Sequence, residues 1–250
     1  MPNKRRGIYL LPNLFTTGAL FAGFYSIITS MNQQFELAAI AIFVAMVLDG
    51  MDGRIARMTN TASDFGMQYD SLSDMVSFGL APALIMYQWA LSDIGKLGWL
   101  AAFVYTASAA LRLARFNTQA ASIDKRFFQG LPSPAAAAVL AGMIWFGTDL
   151  GFTDGKTMLV FCLPVTILVG ILMVSNIRYH SFKQIDLKGK VPFMAVLVIV
   201  AAFVLVAVEP PLVLCTVTLL YAISGPILTL ATIRKHRESR KANDEDEGNT

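Results

Sequence analysis

The chain has 250 residues, of which 55% are hydrophobic and 15% are charged, and its formal net charge is +3. A single soluble core of this length cannot bury so much apolar surface, so the composition excludes an ordinary soluble domain and indicates a membrane protein. The two cysteines, Cys162 and Cys215, lie inside apolar runs, which excludes a disulfide framework and a cysteine metal site.

Apolar stretches recur along the whole chain and predict an all-α bundle of about eight membrane-spanning helices. One of them, residues 191–208, carries no charge and is long enough to cross about 30 Å of hydrocarbon as a helix. If weaker stretches such as residues 134–146 are re-entrant or interfacial, six spans remain. The predicted spans are residues 13–29, 35–51, 65–91, 97–116, 134–146, 158–174, 191–208 and 212–233.

The distribution of Lys and Arg predicts the orientation, because cytoplasmic loops hold an excess of basic residues. With the N-terminus in the cytoplasm, all but two of the 20 basic residues fall on the cytoplasmic side, the exceptions being Lys96 and Lys156. We therefore expect an even number of spans in the cytoplasmic (inner) membrane, with both termini in the cytoplasm. Residues 1–233 are expected to form one integral membrane domain, and the charged tail of residues 234–250 to be disordered.

Four aspartates lie near the predicted inner membrane boundary. Asp49 and Asp52 are three residues apart at the end of the second helix, and Asp70 and Asp74 are four apart on the third. Each pair shares one helix face. Because a charged group in a span costs about 2.5 to 3.5 kcal/mol, four converging carboxylates need a compensating charge. Ligands that are all oxygen favour magnesium, manganese or calcium, and two such ions suit a displacement at phosphorus.

Two other interpretations of these acids remain open. The carboxylates could form ion pairs with Arg54 and Arg57, which would neutralise them without a metal. They could also form the ion site of a membrane cation transporter, although a cation pathway predicts acids spread across the depth of the bilayer. The small residues Gly53 and Ala56 beside the acids favour a ligand site, since a planar base or a pyrophosphate could approach the helix backbone there.

The pattern D-x2-D-G-x2-A-R-x8-G-x3-D-x3-D occupies residues 49–74 without a departure. This segment resembles the signature of the CDP-alcohol phosphatidyltransferases. The resemblance implies that Asp49, Asp52 and Asp70 hold two divalent cations, magnesium or manganese, and that Asp74 is both a ligand and the general base. It also implies a direct transfer from CDP-diacylglycerol with CMP as the leaving group. The residues implied to bind the CDP-lipid are Asn13, Thr16, Asp49, Gly53, Ala56, Arg57 and Gly66.

The same resemblance implies a polytopic enzyme that acts at the cytoplasmic membrane surface and is usually dimeric. We therefore expect a homodimer surrounded by membrane lipids, with no nucleic-acid partner. For Asn13 and Thr16 a simpler interpretation stays open, because both residues begin the first helix directly after Pro12.

Further segments resemble the bacterial serine-transferring branch of the family, namely residues 11–16, 71–82, 112–117 and 130–134. This resemblance implies L-serine as the acceptor, while glycerol 3-phosphate, an inositol phosphate or choline remain alternatives. Arg112 or Arg115, with Asn117, is a candidate for binding the serine carboxylate, since a guanidinium can pair with it through two hydrogen bonds. Ser77 could shape the same pocket. The alternatives are lipid anchoring by the two arginines and helix packing by Ser77.

Overall fold

The computed structural model describes residues 10–59, 61, 63–119, 127–152, 155–180 and 193–247, and these are nearly all helical. The predicted helical bundle is confirmed for this part of the chain. The helices are α1 Leu10–Met31, α2 Phe35–Thr59, α3 Asp64–Asp74, α4 Ala81–Met86, α5 Lys96–Gln119, α6 Ser133–Asp149, α7 Leu159–Val174, α8 Phe193–Val208 and α9 Pro210–Glu247.

The third predicted span is one continuous helical segment, Asp64–Ile94, that contains α3 and α4. A π-helical turn, Met75–Leu80, joins the two helices, and a second π-helical turn, Tyr87–Leu91, follows α4. With this segment counted as one helix, the described residues contain eight long helices at the predicted positions. Four of these helices contain stretches long and apolar enough to cross a membrane, namely Leu11–Met31, Asp64–Ile94, Lys96–Thr118 and Pro210–Thr229.

Small residues form the centre of the bundle. Helix α6 packs between α2 and α9, and its residues Ala136 to Ala141 are buried. A Cβ atom added at Gly142 would lie 3.0 Å from the Cα atom of Cys215, so the backbones of α6 and α9 are in close contact there. Membrane helices pack in this way because small side chains allow close backbone approach. Large apolar side chains such as Phe21 and Phe203 are exposed on the outside, where lipid would cover them.

A short β-ribbon is present that the sequence analysis did not predict. Strands β1 Phe127–Gln129 and β2 Arg178–His180 pair antiparallel. The N–H of Gly130 donates to the carbonyl of Ile177 at 2.9 Å, and Gly130 has a φ of +76°. A Cβ atom there would collide with the carbonyl oxygen of Met173, so this turn requires glycine. The turn leads directly into the N-terminus of α6.

In the charged tail α9 continues as a helix to Glu247, and the expected disorder of residues 234–250 stays a prediction. Residues 248–250 lie outside the described residues. The tail is rich in Arg, Lys and Glu, which are good helix formers. Extending an existing helix also avoids the cost of nucleation, so this segment can be helical without an apolar face to bury.

Candidate active site

Three aspartates converge between the second half of α2 and α3. Asp49, Asp70 and Asp74 each offer a carboxylate oxygen, and these atoms all lie within 4.8 Å of one another. Ser63 caps the N-terminus of α3, because its hydroxyl accepts a hydrogen bond from the N–H of Gly66 at 3.0 Å. This cap fixes the start of α3, and one helical turn then separates Asp70 from Asp74 on the face directed at α2.

The fourth predicted metal ligand, Asp52, lies outside this cluster. Its side chain is only 6% exposed, and its Oδ2 atom accepts a hydrogen bond of 2.6 Å from the hydroxyl of Thr16 on α1. Asp52 nevertheless lines the same cavity as the other three acids. The structure therefore brings all four aspartates to one cavity but directs Asp52 towards α1.

The cavity above the acids has a volume of about 380 Å³. This volume is within the usual range for small-molecule sites. Acids form one side of the cavity, and basic and amide side chains from α5 together with the start of α6 form another. The lining residues are Asp49, Gly50, Asp52, Gly53, Arg54, Arg57, Met67, Asp70, Ser71, Asp74, Arg112, Leu113, Phe116, Asn117, Pro132, Ser133 and Pro134.

The glycines of the acid motif leave open space beside the acids. A Cβ atom added at Gly50 or Gly53 would meet no other atom within 4 Å, although both residues lie in α2. Protein packing therefore does not require glycine at these positions, and their missing side chains widen the cavity. Gly66 is different, because a Cβ atom there would lie 3.5 Å from the Asn13 side-chain oxygen.

The residues predicted to bind the CDP-lipid have different environments. Asn13 and Gly66 lie next to each other, and Gly53 and Arg57 line the cavity. The Nε–H of Arg57 donates to the carbonyl of Gly53 at 2.9 Å. Ala56 and Thr16 do not line the cavity, and Thr16 is only 4% exposed.

Arg112 and Asn117, two of the predicted acceptor-binding residues, line the same cavity as the acids. The Nη1 of Arg112 donates to the hydroxyl of Ser133 at 2.9 Å, and the Asn117 amide donates to the hydroxyl of Ser71 at 3.0 Å. The Nε of Arg112 is buried and has no hydrogen-bond partner among the described residues. Sequence reasoning missed Ser71 and Ser133, although both lie in segments that carry the resemblance.

The other two predicted acceptor-binding residues lie outside the cavity lining. Ser77 is fully buried, and its hydroxyl donates to the carbonyl of Ala19 on α1 at 3.0 Å. This position favours the helix-packing alternative for Ser77. Arg115 is one turn further along α5 than Arg112 and is not among the lining residues.

The acid cluster fits a divalent metal. Three carboxylates this close repel one another unless a positive charge lies between them. Their ligand atoms are all oxygen, which is the donor set that magnesium, manganese and calcium prefer. The position of the cluster on the wall of a cavity would also leave coordination positions for a substrate.

Comparison with known proteins assigns this site to a family. The CDP-alcohol phosphatidyltransferase family model matches residues 9–171, a range that contains the whole acid motif and Arg112, Asn117 and Ser133. The CDP-diacylglycerol–serine O-phosphatidyltransferase of Helicobacter pylori is 40% identical over 220 residues, which cover 88% of this chain and 91% of that protein.

Two further relatives carry the same name. The protein from Mycobacterium leprae is 34% identical over 230 residues, which cover 88% of this chain and 75% of the relative. The protein from Bacillus subtilis is 33% identical over 174 residues, which cover 70% of this chain and 92% of the relative. The family resemblance carried by the acid motif is confirmed, and the chain belongs to the CDP-alcohol phosphatidyltransferase family.

Proposed function

We propose that this protein transfers the phosphatidyl group of CDP-diacylglycerol to the hydroxyl of L-serine, giving phosphatidylserine and CMP in phospholipid biosynthesis. The observation that carries the proposal is the convergence of Asp49, Asp70 and Asp74 on a cavity that Arg112 also lines. Relatives named for serine transfer, which are 33 to 40% identical to this chain, support serine as the acceptor.

The proposed reaction is a direct displacement at phosphorus. The serine hydroxyl oxygen attacks the phosphorus that carries the diacylglycerol group, the bond to the bridging oxygen breaks, and CMP leaves with that oxygen. Asp74 accepts the hydroxyl proton as the general base. Two bound divalent cations, magnesium or manganese, would neutralise the diphosphate, with ligands from Asp49, Asp52, Asp70 and Asp74.

We assign the CDP-lipid to the side of the cavity formed by α2 and the start of α3. The open space at Gly50 and Gly53 supports this assignment, because it would allow a diphosphate to approach the helix backbone beside the acids. The guanidinium of Arg57 on the same wall would add a positive charge for the phosphates. Asn13 and Gly66, which are adjacent, would lie against the nucleotide.

We assign the serine acceptor to the wall formed by α5 and α6. The carboxylate of serine needs a positive partner, and Arg112 has a buried Nε donor with no partner among the described residues. Asn117 on the same wall is bonded to Ser71 of α3, which also lines the cavity, and the two side chains could bind the serine amine or hydroxyl. Arg115 does not line the cavity, so we do not assign it to the acceptor site.

We further propose that the cavity faces the cytoplasm and that the protein works as a homodimer in the inner membrane. The concentration of Lys and Arg near the predicted inner boundary supports this orientation. Family membership supports the dimer.

CMP release from purified protein tests the proposal. We expect release from CDP-diacylglycerol with magnesium or manganese to depend on L-serine and to stop when a chelator is added. Glycerol 3-phosphate, an inositol phosphate and choline serve as competing acceptors, and faster release with any of them would refute serine as the acceptor. Metal flux into liposomes without CMP release would instead indicate a cation transporter.

A further inference from the structure

Thr16 lies directly behind Asp52. The Thr16 hydroxyl has two acceptors within reach, the Asp52 Oδ2 atom at 2.6 Å and the Pro12 carbonyl oxygen at 3.2 Å. A hydroxyl has one proton to donate, and the shorter distance to a charged acceptor favours the bond to Asp52. Because Thr16 and Asp52 are 4% and 6% exposed, this hydrogen bond is shielded from water.

The backbone of Thr16 is also tied to α3. The hydroxyl of Ser73 donates to the Thr16 carbonyl at 3.1 Å, and Ser73 is buried immediately before Asp74. Thr16 thus connects three helices, because its side chain bonds α2 while its carbonyl accepts from α3. Direct bonds therefore hold Thr16 against Asp52 on α2 and against Ser73, the residue before Asp74, on α3.

We propose that Thr16 is a positioning residue that orients the Asp52 carboxylate for metal binding and does not itself touch the substrate. This inference rests on the proposed function and changes the expectation that Thr16 contacts the CDP-lipid. A carboxylate whose one oxygen is held by a buried hydroxyl has a fixed orientation, and Asp52 lies on the cavity wall. Groups that orient ligands in this way typically change metal affinity by about 10- to 100-fold when they are removed.

The test compares two substitutions at Thr16. Thr16→Val keeps the shape of the side chain and removes the hydroxyl, whereas Thr16→Ser keeps the hydroxyl and removes the methyl group. Thr166→Val is the matched control, because Thr166 is also buried in a helix and its hydroxyl donates to the carbonyl four residues earlier, that of Cys162, at 2.7 Å. Both valine variants therefore lose a buried threonine hydroxyl, but only the one at Thr16 loses a bond to an acid.

The readout is Mn²⁺ binding to the purified variants without CDP-diacylglycerol or serine, measured from the free-Mn²⁺ signal in electron paramagnetic resonance. We expect Thr16→Val to weaken binding by about 10- to 100-fold, while Thr16→Ser and Thr166→Val bind as the wild type does. Thermal unfolding of the same samples checks that each variant is folded. If Thr16→Val does not fold, the test rests on Thr16→Ser. An Mn²⁺ affinity equal to that of the wild type then supports the proposal, and a lower Mn²⁺ affinity overturns it.

Two results would overturn the role of Thr16. One is unchanged Mn²⁺ affinity in folded Thr16→Val, and the other is an equal loss in Thr16→Ser, which would assign the effect to the methyl group. Failure of the proposed function gives a different pattern. A wild type that binds Mn²⁺ but prefers another acceptor would refute serine transfer, whereas the affinity differences between the Thr16 variants would still support the positioning role.

Discussion

The hydroxyl of Tyr105 on α5 donates a hydrogen bond of 2.9 Å to the carbonyl oxygen of Phe78, in the π-helical turn that follows Asp74. Pro82, four residues after Phe78, has no N–H to donate to this carbonyl. Tyr179 forms an equivalent bond of 2.9 Å to the carbonyl of Ala222, four residues before Pro226. In both places the hydroxyl of a buried tyrosine donates to a backbone carbonyl, and the proline four residues later has no N–H with which to make this hydrogen bond.

Tyr105→Phe should therefore destabilise the protein by about 1 to 3 kcal/mol, because it leaves the buried Phe78 carbonyl unpaired. Thermal or denaturant unfolding in detergent would measure the loss. Tyr25→Phe is the control, since Tyr25 is exposed on the outside of α1 and should change stability little. Equal stability of the two variants would mean that the Phe78 carbonyl finds another donor when the tyrosine hydroxyl is missing.

Asp74→Asn should keep the fold and the binding of CDP-diacylglycerol but lose about 100- to 10,000-fold in turnover. The amide has nearly the same shape as the carboxyl group but cannot accept the proton of the serine hydroxyl. Serine-dependent CMP release measures the turnover, and binding of CDP-diacylglycerol to the same sample measures whether the site is intact. Turnover equal to that of the wild type would exclude Asp74 as the general base.

The local features of the site could be predicted from the sequence. Asp70 and Asp74 are one helical turn apart, so periodicity alone places them on one face, and their convergence with Asp49 follows from two adjacent helices. The hydrogen bond between Thr16 and Asp52 could not be predicted, because it depends on how α1 packs against α2 over a separation of 36 residues.

Two other features of the fold depend on conformations that the residue pattern does not reveal. Ser77 follows Asp74 by three residues, which in an α-helix would suggest a shared face, but the wider π-helical turn from Met75 rotates the following residues. Ser77 therefore faces α1. The β-ribbon pairs two strands of three residues from distant parts of the chain, and segments this short carry no clear alternation.

Substitutions at Gly53 should separate ligand binding from folding. Gly53→Leu places a side chain in the open space of the cavity, where no packed atom lies within 4 Å, and should raise the KM for CDP-diacylglycerol by at least about tenfold. Such a shift corresponds to about 1.4 kcal/mol of lost binding free energy. The stability of the folded protein should stay equal or rise, because glycine inside a helix is less favourable than leucine.

The graded variant Gly53→Ala is expected to give a smaller rise in the KM for CDP-diacylglycerol, since a methyl group fills less of the cavity. Steady-state kinetics with varied CDP-diacylglycerol and thermal unfolding are the two measurements. An unchanged KM in folded Gly53→Leu would mean that the CDP-lipid binds elsewhere. A loss of stability would show that the neighbouring helices pack against this position.

Arg112→Lys should raise the KM for L-serine and leave the KM for CDP-diacylglycerol nearly unchanged. Lysine keeps the positive charge but cannot form the paired hydrogen bonds that a guanidinium makes with a carboxylate, and it cannot retain both that pairing and the bond to Ser133. A loss of about 1.5 to 3 kcal/mol, the usual range for a hydrogen bond to a charged group, corresponds to roughly 10- to 150-fold in the KM for serine.

Arg115→Lys is the matched control, because Arg115 lies on the same helix but not on the cavity wall. A larger effect at Arg115 than at Arg112, or an effect of Arg112→Lys confined to CDP-diacylglycerol, would reverse the assignment of this wall to the acceptor.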